Sequence, residues 1–385
     1  MRFPEFSVEW KETTIGECCS ELEYGMNAPS KYFDGVNKYI RITDIDEQTS
    51  EYKQDSVVSP DAPLEDKYIV KDRDILFART GASTGKTYIY NPLDGKMYYA
   101  GFLIRANVKM EDNPEFVFYQ TQTHRYKKWV SIMSMRSGQP GINSQEYASY
   151  KFWKPCKDEQ DKISALISLL DTRIQTQKKI IEDLKKLKDA ITHSHYRNEL
   201  LHSPMVYIGQ YITQVSKRNK DAKIDRVLSV SNKYGFINQD EQFEDREVAS
   251  ADTSNYKVVH KGDFAYNPAR INVGSVARLQ EFENGIVSPM YVCFTAKKGL
   301  LPAYFELYLC TSIFKHEMNK RLEGSVRLCL TYESLSNIKI ALPEINVQKD
   351  FVSKVSAILT KISAEERLLY LYDNCKQFLL SQMFI

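Results

Sequence analysis

Apolar residues recur at steps of three, four and seven along two long stretches of the chain. Ile163, Ile167, Leu170, Ile174, Ile181, Leu184, Leu187 and Ile191 form the first series. Phe351, Val355, Ile358, Ile362, Leu369, Tyr372, Cys375 and Leu379 form the second, each 188 residues after its counterpart. This spacing is that of a coiled-coil seam, so long helices are predicted over 158–200 and 346–385. Elsewhere short β-rich runs predict strands: "YIRIT" (39–43), "DILFA" (74–78), "KTYIY" (86–90) and "YAGFLIRANV" (99–108). A helix from about Pro114 to Met133 follows them. The second half gives "RVLSV", "GDFAY", "SVARLQ" and "VSPMYVCFTA", then a helix from about Pro302 to Arg321. Each half closes with a polar loop, a short helical turn and a strand ending at Pro155 or Pro343.

The order of elements therefore repeats, and so do some residues. A shift of 189 lays Asp74 on Asp263, Gly85 on Gly274, Phe116 on Phe305 and Tyr119 on Tyr308. A shift of 188 then lays Lys151 on Lys339, Pro155 on Pro343 and Gln160 on Gln348. The predicted fold is α+β, with two duplicated mixed domains at 1–157 and 201–345. The helix at 158–200 would separate them and pair antiparallel with the helix at 346–385, giving a pseudo-twofold arrangement. Duplex DNA has the matching symmetry, and modules held apart in this way suit two separated half-sites. Because the copies differ in sequence, the half-sites would differ too.

Charge adds little to this picture, since 52 basic residues face 50 acidic ones. Any DNA contact must therefore come from local patches. No apolar run is long enough to span a membrane, and the opening "MRFPEFSVEW" lacks the apolar core of a secretion signal, so a cytoplasmic, membrane-free protein is expected. The seven cysteines (18, 19, 156, 293, 310, 329 and 375) contain no Cys-x-x-Cys pair and read as reduced thiols. His193, His195 and His202 lack companion ligands, so no metal site is predicted.

The stretch "ARTGASTGKTYIY" (78–90) ends near a Gly-Lys-Thr that suggests a nucleotide-phosphate loop. Gly81 is one residue too close to Gly85, however, and β-formers with turn signals stand where a helix should begin. The duplicate, "NPARINVGSVARL", keeps the glycine but not the lysine. Both copies keep a short loop rich in groups that suit base edges or phosphates. The candidate DNA contacts there are Arg79, Thr80, Ser83, Thr84 and Lys86, and Asn267, Arg270, Asn272 and Ser275. The loops after the helices add Arg136, Ser137 and Gln139, and Ser325 and Arg327. The tips after the first strands add Arg41 and Thr43, and Asn232 and Lys233, while Lys217 and Arg218 belong to a basic cluster.

The opening "RFPEFSVEW", the "RDILFARTGASTG" and "GDFAYNPARINVG" motifs, "LPEINVQKDFVSKVSAIL" and the closing "LLSQMFI" resemble, in that order, the DNA-specificity subunit of Type I restriction-modification systems. The resemblance covers essentially the whole chain. It implies two target-recognition domains and a non-catalytic role within a complex. The implied partners are double-stranded DNA, two adenine-methyltransferase subunits and, for cleavage, ATP-driven restriction subunits. S-adenosylmethionine, ATP and Mg would then belong to those partners, with no cofactor in this chain. In agreement, "NPAR" at 267–270 lacks the second proline and the aromatic of an amino-methyltransferase motif, and no Gly-x-Gly-x-x-Gly loop occurs. Two other readings remain: a nucleotide hydrolase using residues 81–87, and a coiled-coil scaffold that binds only proteins.

Overall fold

The computed structural model describes residues 2–135, 138–232, 234–239, 253–324 and 328–384. The chain divides into two compact units: Met1–Lys178 with Arg367–Ile385, and Lys179–Glu366. Each takes a stretch of both long helices, the central one at Lys157–His202 and the C-terminal one at Ile345–Met383.

In the first unit an antiparallel sheet runs Cys19–Tyr24, Leu103–Val108, Asp74–Ala78, Thr87–Ile89. The second unit repeats that order with Ile212–Val215, Val292–Ala296, Phe264–Tyr266 and Val276–Arg278. A two-stranded pair closes each unit: Lys11–Thr14 with Lys151–Lys154, and Met205–Tyr207 with Lys339–Ala341. Beside its four-stranded sheet the first unit pairs Lys38–Ile40 parallel with Met97–Tyr99 and Ser30–Tyr32 antiparallel with Val58–Pro60, and the second unit has a mixed sheet, Gly235–Asn238, Val227–Ser231, Asn284–Val287, Lys257–His260.

Asp74 and Asp263 each accept a hydrogen bond from the backbone three residues earlier, Lys71 N at 2.7 Å and His260 N at 2.8 Å. These turns start the central strand in both units, which accounts for the shared aspartate.

The single helix predicted over 114–133 is two helices, Pro114–Gln120 and His124–Met133. Thr121 and Thr123 turn their hydroxyls back onto the carbonyls of Phe118 and Gln120, and Thr123 caps the second helix by accepting from Tyr126 N. Such side chains compete with the helical backbone and start a new N-terminus. The later helix divides in the same way into Pro302–Leu309 and Ser312–Asn319, with Thr311 as the cap. Pro114 and Pro302 both start helices, and Thr123 and Thr311 both cap them, so the register here is 188. Phe116 therefore corresponds to Tyr304, not to Phe305, and Tyr119 to Leu307, not to Tyr308. Similarly, the strand predicted over 99–108 is interrupted by a turn at Ala100–Phe102, the one over 287–296 by a turn before Val292, and the one over 39–43 stops at Ile40.

Within each unit the long helices run antiparallel. In the second, Lys185 pairs with Glu366 and His195 stacks on Phe351. In the first, Lys376 pairs with Asp171, and Ile163 and Ile167 share a core with Leu379, Leu380, Met383 and Phe384. Fourteen of the sixteen predicted seam residues are buried or half-buried, but Leu187 is 48% exposed and Cys375 is exposed. Both follow two successive steps of three, each about 60° short of a full turn, so they fall about 120° behind the seam. The covered face continues instead through Lys188, Thr192 and Tyr196, and through Lys376, Leu380 and Met383.

Candidate nucleic-acid interface

In the first unit the hairpin loop between Asp74–Ala78 and Thr87–Ile89 is shaped by Gly81 (φ +70°) and Gly85 (φ +89°). A Cβ on Gly85 would lie 2.4 Å from Val130 Cγ1, so a side chain is excluded there as well as disfavoured by conformation. The loop is bonded to the loop that follows the helix pair. Gly81 N donates to Pro140 O (2.9 Å) and Ile142 N to Arg79 O (2.9 Å), while Thr84 Oγ1 donates to Gly81 O (2.8 Å) within the hairpin itself. Gln139 lies on the same surface, exposed and adjacent to Gly81. Thr80, bridged to Gly141, and Ser83 are half-buried in this cluster.

The guanidinium of Arg79 lies 4.8 Å over the Tyr24 ring, and Ser144 donates from both its N–H and its hydroxyl to the Tyr24 oxygen (3.2 Å each). Burial pushes that phenol up, but the two Ser144 bonds and the Arg79 charge outweigh it and leave its pKa lowered. Lys86 reaches Glu47, beyond the first-strand tip, at 3.3 Å. Three segments distant in sequence thus meet around the hairpin.

Arg41 is committed elsewhere, since its Nε and Nη2 both bond the Asp44 carboxylate at 2.8 Å, closing the turn after the first strand. Thr43 is exposed on that turn, its hydroxyl 3.2 Å from Asp44 Oδ1.

In the second unit the hairpin 267–275 takes the same place. Asn267 Oδ1 accepts from Ala269 N (3.0 Å), and Leu330 N donates to Pro268 O (3.1 Å), so the hairpin again meets the loop after the helix pair. Arg270 and Asn272 are exposed, and while the Arg270 backbone is bonded within the hairpin (N to Asn267 O, 3.0 Å), its guanidinium has no hydrogen-bond or ion-pair partner among the described residues. Ser275, only 5% exposed, donates to Val230 O (3.1 Å) and ties the hairpin to its neighbouring strand, so it is a support and not a free contact group. Asn232 is exposed at the tip of that strand, beside Gly274 (φ +92°). Lys217 and Arg218 are exposed near Lys257–His260: Val258 N donates to Lys217 O, and Arg218 donates to Asn255. Arg136, Ser137, Lys233, Ser325 and Arg327 lie outside the described residues.

The geometry does not support a nucleotide-phosphate loop at 81–87. A strand, Thr87–Ile89, follows it where a helix N-terminus is required, and Lys86 is engaged by Glu47. No group of three or more His, Cys, Asp or Glu suited to a metal occurs among the described residues. His195, the histidine stacked on Phe351 (ring centroids 3.7 Å apart), is shifted toward the neutral form by burial. An open cleft of about 1030 Å³ in the second unit, between His193, Tyr207 and His316, gathers none of the predicted loop residues. Its Arg321 pairs with Glu317, and its Lys339 lies over Tyr207.

Sequence reasoning passed over Tyr24, which Ser144 bonds at the end of the loop after the helix pair. A signal was present for Tyr24, because it precedes Gly25, where a Cβ would fall 2.2 Å from Ala100 O. A glycine ending a strand in this way marks a close backbone approach.

Comparison with known proteins agrees with this arrangement. The sequence model of the family described as "Type I restriction modification DNA specificity domain" matches residues 7–186 and 212–370. The chain is 23% identical over 405 residues to the Type I restriction enzyme MjaVIII specificity subunit of Methanocaldococcus jannaschii, covering 95% of this chain and 90% of that one. It is 25% identical over 199 residues to the HindI specificity subunit of Haemophilus influenzae, covering 49% and 41% respectively. The fold matches the crystal structure of the Type I restriction-modification S subunit from M. genitalium (TM-score 0.61, 14% identity, 100% and 98% coverage). It also matches a chain from a structure of the type I R-M system described for its complex assembly and conformational transition (TM-score 0.56, 15% identity, 97% of both chains). With two polar loop clusters on a repeated sheet, and with the family model matched twice along its length, the chain belongs to the Type I restriction-modification DNA specificity family as a non-catalytic subunit that recognises a DNA target.

Proposed function

We propose that the chain reads a bipartite DNA target, one half-site per unit, and directs adenine methylation and restriction by partner subunits. The observation that carries this reading is the repeated meeting of two loops. The hairpin after the central strand is bonded to the loop after the helix pair in both units, through Gly81 N to Pro140 O and through Leu330 N to Pro268 O. The framework is the same and the exposed side chains differ, as two unlike half-sites require.

Arg79, Gln139, Asn267, Arg270 and Asn272 supply donors and acceptors for base edges, each good pairing being worth about 1–3 kcal/mol of discrimination. Exposed lysines and loop N–H groups serve phosphates, so affinity falls with salt. Two adenine-methyltransferase subunits and ATP-driven restriction subunits are the partners in this reading. S-adenosylmethionine, ATP and Mg are held by those partners in the cytoplasm, and the coiled coil of the two long helices sets the gap between half-sites.

The test is a map of N6-methyladenine across the source genome with the gene intact and deleted. Loss of one split motif is expected on deletion. An unchanged map, with the gene demonstrably expressed, overturns the reading. DNA binding without sequence preference in the presence of the methyltransferase subunit returns the chain to a scaffold role.

A further inference from the structure

We propose that Phe102 in the first unit and Met290 in the second read thymine methyl groups, one in each half-site; this rests on the reading above. Sheet register makes the two residues equivalent. Phe77 pairs with Ile104 and Tyr266 pairs with Val292, and Phe77 and Tyr266 each stand three residues after the turn-closing Asp74 or Asp263. Phe102 and Met290 each lie two residues before the paired strand residue. Both sit in the turn that enters this strand, beside the hairpin loop. Arg79 N donates to Phe102 O at 3.0 Å, and Asn267 Nδ2 lies 3.8 Å from Met290 Sδ.

Phe102 is 59% exposed and Met290 61%. Single exposed apolar side chains are common on protein surfaces, and here the repetition carries the inference. The polar group beside the position changes from Arg79 to Asn267, while an exposed apolar side chain is kept. Val273 on the second hairpin is also exposed, but it stands in one unit only; an exposed apolar group kept in both units gains free energy by covering another apolar group. The apolar feature of base edges in the major groove is the thymine C5-methyl. Phe and Met differ in shape, so the two units place that contact differently within their half-sites.

The experiment uses the full chain reconstituted with its methyltransferase subunit, on a duplex carrying the motif found by the methylation map. Each thymine is replaced in turn by deoxyuridine, which lacks only the C5-methyl, and Kd is measured. One replacement in each half-site is expected to weaken wild-type binding about fourfold, the effect of one buried methyl. Phe102→Ala should remove that sensitivity from one half-site only, and Met290→Ala from the other. Phe102→Leu and Met290→Leu, which stay apolar, should retain it, and unchanged melting temperatures of all four variants exclude misfolding. No loss on any replacement, or a loss that survives both alanine variants, overturns the proposal while leaving bipartite recognition intact. A wild-type complex that prefers no motif overturns the underlying reading and this inference with it.

Discussion

Gln348 makes in the second unit the bonds that Gln160 makes in the first. Gln160 Oε1 accepts from Asn113 N (2.9 Å) and its Nε2 donates to Pro155 O (3.0 Å). Gln348 Oε1 accepts from Leu301 N (2.8 Å) and its Nε2 donates to Pro343 O (2.9 Å). Each glutamine is fully buried at the start of a long helix, and each joins the end of the closing strand to the entry of the helix pair. The shared Gln and Pro are thus explained by one buried hydrogen-bond bridge.

Gln160→Ala should destabilise the first unit by about 2–3 kcal/mol, because a buried N–H and carbonyl lose their partners. Trp10, Trp129 and Trp153 all belong to that unit. Urea unfolding followed by tryptophan fluorescence should therefore shift to lower urea in Gln160→Ala. In Gln348→Ala the expected shift is in the far-UV circular dichroism, with little change in fluorescence. Equal fluorescence shifts in both variants would contradict separate stabilisation of the units.

Phe384 stacks on Phe116 with centroids 5.2 Å apart, and Tyr196 packs on Tyr304 at 4.9 Å; Phe116 lies 188 residues before Tyr304, and Phe384 lies 188 residues after Tyr196. Phe384→Ala should cost about 3–4 kcal/mol in the tryptophan-monitored transition, through lost burial and a cavity beside Phe116. Tyr196→Phe removes only a buried hydroxyl that donates to Tyr304 O, and should cost about 1–2 kcal/mol, seen in circular dichroism.

Acid should loosen the two units at different pH. Burial in the second unit holds the His195 pKa below its ordinary 6.5. The unfolded chain then binds the extra proton first, and stability falls as pH drops below about 6.5. In the first unit, burial favours neutral Asp112, but hydrogen bonds from Lys154 and Gln160 outweigh it and hold the pKa below 3.8. That contribution is present above about pH 3.8 and is lost as pH falls through the lowered value. Melting across pH 3–8 should show His195→Gln flattening the circular-dichroism slope below 6.5. Asp112→Asn should flatten only the fluorescence slope near the bottom of that range.

Lys86→Ala should change stability by less than about 1 kcal/mol, since its partner Glu47 is 79% exposed. If Lys86 contacts a phosphate, the salt dependence of DNA binding should lose about one unit of slope. Purified wild-type chain should hydrolyse no ATP, and coupled-assay turnover that Lys86→Ala abolishes would revive the hydrolase reading.

The seam residues and the repeated order of strands were legible because burial imposes a period on the sequence. Cys375 and Leu187 misled because helix geometry shifts the covered face where steps of three follow one another. The split at Thr121–Thr123 was hidden because threonine is tolerated within helices, and only its hydroxyl contacts reveal the cap. Loop positions could be inferred from the duplication, but side-chain commitments could not. Nothing local distinguishes Arg41, held by Asp44, from Arg270, which is exposed and without such a partner among the described residues. The same applies to Ser275, buried by a strand that lies far away in sequence.

The stacking of Phe384 on Phe116 also has a consequence for synthesis. The first unit needs residues 367–384, which leave the ribosome after every residue of the second unit has been made. The unit encoded first is therefore completed last. Until then the Phe116 side of its core lacks its final cover, so nascent chains stalled before residue 367 should be the species that chaperones hold.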